Sequence, residues 1–349
     1  MQLVLDTPNI SLRVRNRSFV VSAAKERRLI SPHRLSSIAV ISPCALSSAA
    51  VLLAVAHKIP IIFFDHAGEP EAQVWSTQFG HLAELRRAQV LFAMTDAAVA
   101  WATRIFELKT DGQLANLTWM QTFRPLPQLQ QMLQQRLTAI QSLRPTLAQA
   151  ATQSEPLAAL LAAEAAMARH YWLAWGQAAP TGFNFSVRSR RPAQDAFNAT
   201  LNYLYGMLYN AVEGATLAAG LDPMFGLIHA DAFGAPTLVF DLIEPFRPCV
   251  DRLLMTLLYE GAFDHRHVVP LSNGYTVQRE GRKILIAAFN DYLRHPLLWE
   301  GQNQPFKNHL HLLAGELADH LKHFWEHDPA GKLRHRRRPP AAESGEQAA

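Results

Sequence analysis

An α+β fold, with a small β-rich N-terminal domain followed by a larger all-α domain, is what this 349-residue sequence predicts. Three observations carry the prediction. Up to about Trp75 the apolar runs are short and strand-like; from Phe79 the apolar spacing becomes helical; and beyond about 329 no apolar periodicity remains. The expected boundaries are 1–75, 76–328 and a basic tail at 329–349, too rich in Pro, Ala and charge to bury a core and so expected to be disordered.

In chain order, "ISLRV" from Ile10 alternates apolar and polar residues, and "SFVV" follows the polar turn "RNR". "SIAVI" and "IPIIFFD" are β-branched and aromatic runs flanked by Pro or polar residues, and "SSAAVLLAVAHK" between them has the length of one short helix. "DHAGEPEAQ" from Asp65 is a Gly/Pro-containing polar segment and the expected start of a linker. Leu82, Leu85, Phe92, Val99 and Ile105, then Leu129, Leu133, Leu137 and Ile140, open the helical domain. "LAALLAAEAAMARHYWLAWG" is a run of strong helix formers. After the Arg-rich loop "GFNFSVRSRRPAQDAF" comes a second helix, "NATLNYLYGMLYNAVEGATLAAG", with Asn202, Tyr205 and Tyr209 near one face and Gly220 placed to cap it. A third helix is expected from Thr237, with Pro245 and Pro248 bending or restarting it because proline has no N–H to donate.

Composition excludes several classes. The chain is 49% apolar and 18% charged, ordinary for a soluble globular protein. Its longest apolar stretch, "AAVLLAVA", stops at His57, far short of a bilayer span, so no membrane role and a cytoplasmic location are expected. Cys44 and Cys249 form no CxxC pair, which excludes a disulfide framework and a zinc knuckle and leaves oxygen and imidazole to hold any metal. Of the net charge of +4, the tail supplies +3, with Lys332, Arg334, Arg336, Arg337 and Arg338 against Glu343 and Glu346. The body carries local clusters: "KERR" at 25–28, Arg86 with Arg87, "RSRR" at 188–191, and Arg282 with Lys283. Singly, each suits a solvated face; together they favour an anionic polymer.

The chemistry centres on "HADAFGAPTLVFDLIEPFRP", His229 to Pro248. In a helix from Thr237, Asp241 and Glu244 share a face and project together. Carboxylates on an apolar run need partners, which here means either a bound cation or ion pairs with Arg247 and Arg252. His229 alone suits a loop or core histidine, and Glu164, alone among alanines, suits a solvated helix position. A second constellation, Glu316, His320, His323 and His327, lies on one helical face at spacings that could bind zinc or nickel, but beside a basic tail it reads first as a weakly cationic, phosphate-facing surface and ranks below the first site.

Taken in order, the Glu164 helix ending in "ARHYW", then "RRPAQDAFNATLNYLYGMLY", "GLDPMFGLIHAD" and "PTLVFDLIEPFRPCVDRLL" closely resemble the CRISPR-associated adaptation integrase family, CRISPR-associated protein one. "KIPIIFFD" and "LRRAQVLFA" resemble it too, and the likeness spans Leu3 to about Trp325. The resemblance implies metal ligands at Glu164, His229 and Glu244, with Asp241 as a supporting acid, in a helical catalytic domain. It departs at "AAEAA", where many relatives have glycines. It also implies Mg2+ or Mn2+, which two carboxylates and one imidazole suit. Arg188, Arg190 and Arg191, with Tyr205 and Arg247, are the expected contacts to double-stranded and branched DNA. The expected activity is metal-dependent endonuclease and integrase chemistry in spacer acquisition, joining DNA 3′-hydroxyl ends to the repeat array. A homodimer formed by the β-rich domain and a small ferredoxin-like partner subunit complete the expectation. The alternatives are a non-catalytic DNA-binding scaffold with a vestigial metal site, and an unrelated metallohydrolase of small phosphoesters.

Overall fold

The strand-like runs of the first seventy residues resolve into two four-stranded sheets sharing one core. The computed structural model describes all residues except 1, 24–25, 36, 58, 65–69, 75–81, 124–126, 231–232 and 328–349. One sheet has the order β1 (Gln2–Leu5), β5 (Ser37–Val40), β7 (Ile61–Phe64), β8 (Pro70–Gln73), parallel except for β8. The other runs β4 (Glu26–Ile30), β3 (Ser18–Ala23), β2 (Ser11–Arg15), β6 (Ala45–Leu46), with β2, β3 and β4 antiparallel. Asn16 and Arg17 turn β2 into β3 with positive φ, as the tight "RNR" turn requires. The helix α1 (Ser48–Ala56), capped by the Ser47 hydroxyl accepting from Ala50 N–H, crosses between β6 and β7. Leu5, Leu12, Phe19, Ile38, Ala54 and Ile61 fill the core from both sheets and α1. The segment expected to open a linker at Asp65 instead supplies β8, because it can pair with the open edge of β7. Its residues 65–69, the expected boundary near 75, Lys25 and the basic tail with Lys332 to Arg338 lie outside the described residues.

From Leu82 the chain is mainly helical: α2 (Leu82–Phe92), α3 (Asp96–Phe123), α4 (Pro127–Leu143), α5 (Thr146–Ala150), α6 (Pro156–Ala178) and α7 (Ala196–Ala218). Then follow α8 (Thr237–Ile243), a 3-10 turn (Glu244–Phe246), α9 (Arg247–Tyr259), α10 (Arg279–Tyr292) and α11 (Phe306–Glu326). Two hairpins are added to the expected helices: β9 (Val268–Leu271) with β10 (Gly274–Val277), and β11 (Pro296–Trp299) with β12 (Gln302–Pro305).

Helix α7 sits at the centre. Asp195 caps it by accepting from Asn198 N–H at 2.7 Å. At its end Gly220 adopts φ +81°, Gly220 N–H bonds Leu217 O, and Leu221 N–H bonds Thr216 O, the paired bonds that close a helix onto a left-handed residue. The row Leu201, Leu204 and Leu208 is buried, each side chain contributing roughly 2 kcal/mol by removal from water. Helix α3 packs on α6, the 3-10 turn and α9. At Gly112 it approaches so closely that an added Cβ would lie 2.9 Å from Pro248 Cβ. Among the described residues no helix is long and apolar enough to cross a membrane.

Candidate active site

The two proline residues decide the local geometry. Pro245 has no N–H to continue the α8 ladder, so the helix ends at Ile243, one 3-10 turn follows, and α9 starts with Pro248 in its first turn. Asp241 and Glu244, expected to project together, therefore serve different partners. Asp241 is fully buried and turns back to the loop after α7. Its Oδ2 accepts from the backbone N–H groups of Leu227 at 2.6 Å and Ile228 at 3.0 Å, and its Oδ1 from His229 N–H at 3.1 Å. The same Oδ1 lies 2.7 Å from His229 Nδ1. A carboxylate only accepts, so Nδ1 carries the proton and Nε2 is left as the nitrogen that can serve a ligand. The His229 side chain is 35% exposed, so that nitrogen is reachable.

Glu244 points instead toward α3 and α6. Lys109 of α3 donates to Glu244 Oε2 at 2.5 Å and to Glu164 Oε1 of α6 at 2.6 Å, while Arg247 Nε donates to Glu244 Oε1 at 2.9 Å. The side chains are 12% (Lys109), 17% (Glu164) and 6% (Glu244) exposed, so these pairs are little screened by water. Burial pushes the Glu244 carboxyl up, but Arg247, Lys109 and, more weakly, the His229 imidazole pull it down to about 2. Burial likewise works against the Lys109 ammonium, yet Glu244 and Glu164 hold its pKa above the ordinary lysine value. Of the three residues carried over from the resemblance, Glu164 and Glu244 thus share one cation, and His229 reaches Glu244 only as a weak electrostatic influence. Of the expected ion pairs, Glu244 with Arg247 forms, whereas Arg252 Nε goes to Asn116 Oδ1 at 2.8 Å.

Lys109 was not singled out from the sequence. The signal was there: it lies three residues beyond buried Phe106 and four before buried Gln113, on the inward row of α3 where a lysine is unusual without partners.

Behind this pair lies a buried polar network. Asp251 of α9 accepts from Tyr205 OH at 2.6 Å and Tyr171 OH at 2.9 Å, and Asn116 Nδ2 donates to Tyr171 OH at 2.8 Å and Pro248 O at 2.7 Å. Burial pushes the Asp251 carboxyl up to about 6. The Tyr205 ring is covered by the guanidinium groups of Arg247, 4.8 Å from its centroid, and Arg188, at 5.3 Å. Arg188 also donates to Asn198 Oδ1 at 2.7 Å and Asn202 Oδ1 at 2.6 Å. Of the five expected DNA contacts, Arg188, Tyr205 and Arg247 are thus committed to this network, and Arg190 and Arg191 stand exposed on the loop before α7.

The stripe on α11 is occupied otherwise. Arg104 holds both Glu316 and Glu300, His320 packs edge-on to Trp101 and the rings of His323 and His327 lie 4.0 Å apart. Among the described residues no three His, Cys, Asp or Glu side chains stand close enough to hold a metal ion. At Glu164 and Glu244 the donor chemistry still fits a divalent cation. Two carboxylates already converge on one positive charge, the Lys109 ammonium, and the chain also holds an imidazole, His229, fixed by the buried Asp241 carboxylate.

The family described as CRISPR associated protein Cas1 matches residues 3–291. A CRISPR-associated endonuclease Cas1 of Archaeoglobus fulgidus is 27% identical over 334 residues, covering 92% of this chain and 96% of the relative. Among solved structures, a casposase bound to integration product superposes with a TM-score of 0.73 at 21% identity, over 92% of this chain and 90% of that one. A chain of a Cas6-RT-Cas1–Cas2 complex gives 0.75 at 20% identity, over 93% of this chain and 35% of that one. At such identities the structures speak for the fold, a strand-rich region followed by a mainly helical one.

Proposed function

This chain belongs to the CRISPR-associated Cas1 family, and we propose that it is a metal-dependent DNA integrase and endonuclease of spacer acquisition. The observation that carries the reading is the convergence of Glu164 and Glu244 on one cationic position. In the proposed site Glu164, Glu244 and His229 Nε2 hold Mg2+ or Mn2+. The bound ion would supply Lewis-acid chemistry, neutralising a phosphodiester and lowering the pKa of an attacking oxygen. Asp241 keeps the proton on His229 Nδ1 and fixes the ring, and Arg247 holds the second oxygen of Glu244. In joining, a DNA 3′-oxygen forms a bond to phosphorus as another 3′-oxygen leaves; the attacking hydroxyl loses its proton to solvent and the leaving oxygen gains one. With water as attacker the same exchange is hydrolysis.

The carbohydrate-phosphate backbone would be met by Arg190 and Arg191 on the rim, with Arg188 behind them. The casposase relative is bound to an integration product and another relative sits in a complex with Cas2, which supports DNA and a small partner subunit as ligands here. A homodimer through the β-rich region, divided from the catalytic domain near residue 75, completes the proposal. The occupation of the carboxylate pair by Lys109 favours one competing reading, a non-catalytic scaffold that binds DNA.

Strand transfer on branched DNA, with EDTA controls, separates the two. Glu164→Ala, His229→Ala and Glu244→Ala are each expected to keep duplex affinity measured without metal and to lose at least about 100-fold in strand transfer, since even outer partners of metal ligands cost 10–100-fold. EDTA-resistant transfer, or a variant with full Mg2+-dependent activity, removes that residue from the ligand set.

A further inference from the structure

The carboxylate pair is electrically complete without a metal. Glu164 and Glu244 bring two negative charges, Lys109 and Arg247 two positive ones, and all four side chains are less than one-fifth exposed. A divalent cation added to the same carboxylates would leave two uncompensated positive charges in a poorly hydrated place, which is costly. Either one of the resident cations leaves or further negative charge arrives. The two cations differ in freedom. Arg247 is fixed by its bond to Glu244 and by the Tyr205 ring, which Asp251 holds in turn. Lys109 carries a compact ammonium on a flexible four-carbon stem, held by the two carboxylates.

We propose that Lys109 is a resident counter-cation: its ammonium holds Glu164 and Glu244 together in the metal-free protein, yields that position to a divalent cation, and then pairs with an incoming DNA phosphate. The inference rests on the metal-dependent reading above. Its consequence is thermodynamic. Metal binding alone breaks two short ion pairs, whereas metal and DNA together give the displaced ammonium a new anion, so the two ligands bind cooperatively and each tightens the other by the same factor.

The test uses Mn2+ as the probe and the full-length chain. Mn2+ affinity without DNA is read by electron paramagnetic resonance titration, and affinity for a fluorescent duplex with and without Mn2+ by anisotropy. In the wild type Mn2+ is expected to tighten duplex binding by roughly 5- to 150-fold, the ordinary range of such coupling. Lys109→Met, which keeps the aliphatic stem, should bind Mn2+ more tightly without DNA and lose most of the coupling. Lys109→Arg, which keeps the charge, should retain weak DNA-free Mn2+ binding. Equal or weaker DNA-free Mn2+ binding in a folded Lys109→Met protein overturns the proposal. So does a wild-type duplex affinity indifferent to Mn2+, whatever the variants do. Unchanged Mn2+ binding in Glu164→Ala and Glu244→Ala would instead sink the ligand assignment, and Mn2+ binding without strand transfer would sink the integrase reading alone.

Discussion

Replacing Glu244 by Gln tests the electrostatics of the site through folding stability rather than turnover. The substitution keeps shape and an acceptor oxygen but removes the charge that Lys109 and Arg247 share. The Glu244 carboxyl stands at about 2, against 4.5 for an ordinary glutamate. A group whose folded value is depressed contributes stability that is fully present above the unfolded value and is lost as pH falls through the folded one. At 1.36 kcal/mol per pH unit, the ionised form should contribute about 3 kcal/mol at pH 7 and only about 1 kcal/mol at pH 3. The side chain is 6% exposed, so solvent screening takes little from that figure. Urea unfolding of wild type and Glu244→Gln, followed by the helical circular dichroism signal at pH 7, 5 and 3, measures the difference. The gap should be widest at pH 7 and narrow toward pH 3. A gap independent of pH, or none at pH 7, would refute the claim that Lys109 and Arg247 hold Glu244 as an anion.

Two further outcomes are expected. Glu213 on α7 is buried, and among the described residues neither its Oε2 nor the buried hydroxyl of Tyr209 has a hydrogen-bond partner; burial pushes the Glu213 carboxyl up to about 7. A raised acid has the opposite sign: its favourable contribution is complete below the unfolded value near 4.5 and is lost as pH rises through 7. Glu213→Gln should therefore gain about 2 to 3 kcal/mol on the wild type between pH 5 and pH 8, read from chemical denaturation at each pH; a constant difference would show that Glu213 does not bind a proton at neutral pH. Replacing Arg190 and Arg191 together by Ala should weaken duplex binding and reduce the slope of log affinity against log salt by about 2, one per lost phosphate contact. An unchanged slope would make that loop a bystander.

The sequence made much of the scaffold legible because short-range rules act within single elements. Alternation in "ISLRV", the compact runs around Ile38 and Ile61, the helix-length apolar stretch of α1 and the glycine closing α7 each report a local preference. The break after Ile243 follows from Pro245 lacking an N–H, and the structure places it there. The hairpin of β9 and β10 also had a local signal, "SNG" between apolar runs, outweighed by the helical trend around it.

What spacing could not supply was direction across elements. Periodicity placed Asp241 and Glu244 on one face, but the change from α-helix to a 3-10 turn sent one to the backbone of 227–229 and the other to α3. Tyr205 and Arg247, expected as DNA contacts, are instead held inward, Tyr205 by Asp251 and Arg247 by Glu244 and the Tyr205 ring. By itself the sequence determined the elements, their breaks and the donor types available at 164, 229 and 244. Only the tertiary structure decided that a lysine 55 residues before Glu164 would sit between the two glutamates, because helices α3, α6 and α9 meet through contacts set by packing rather than by sequence distance.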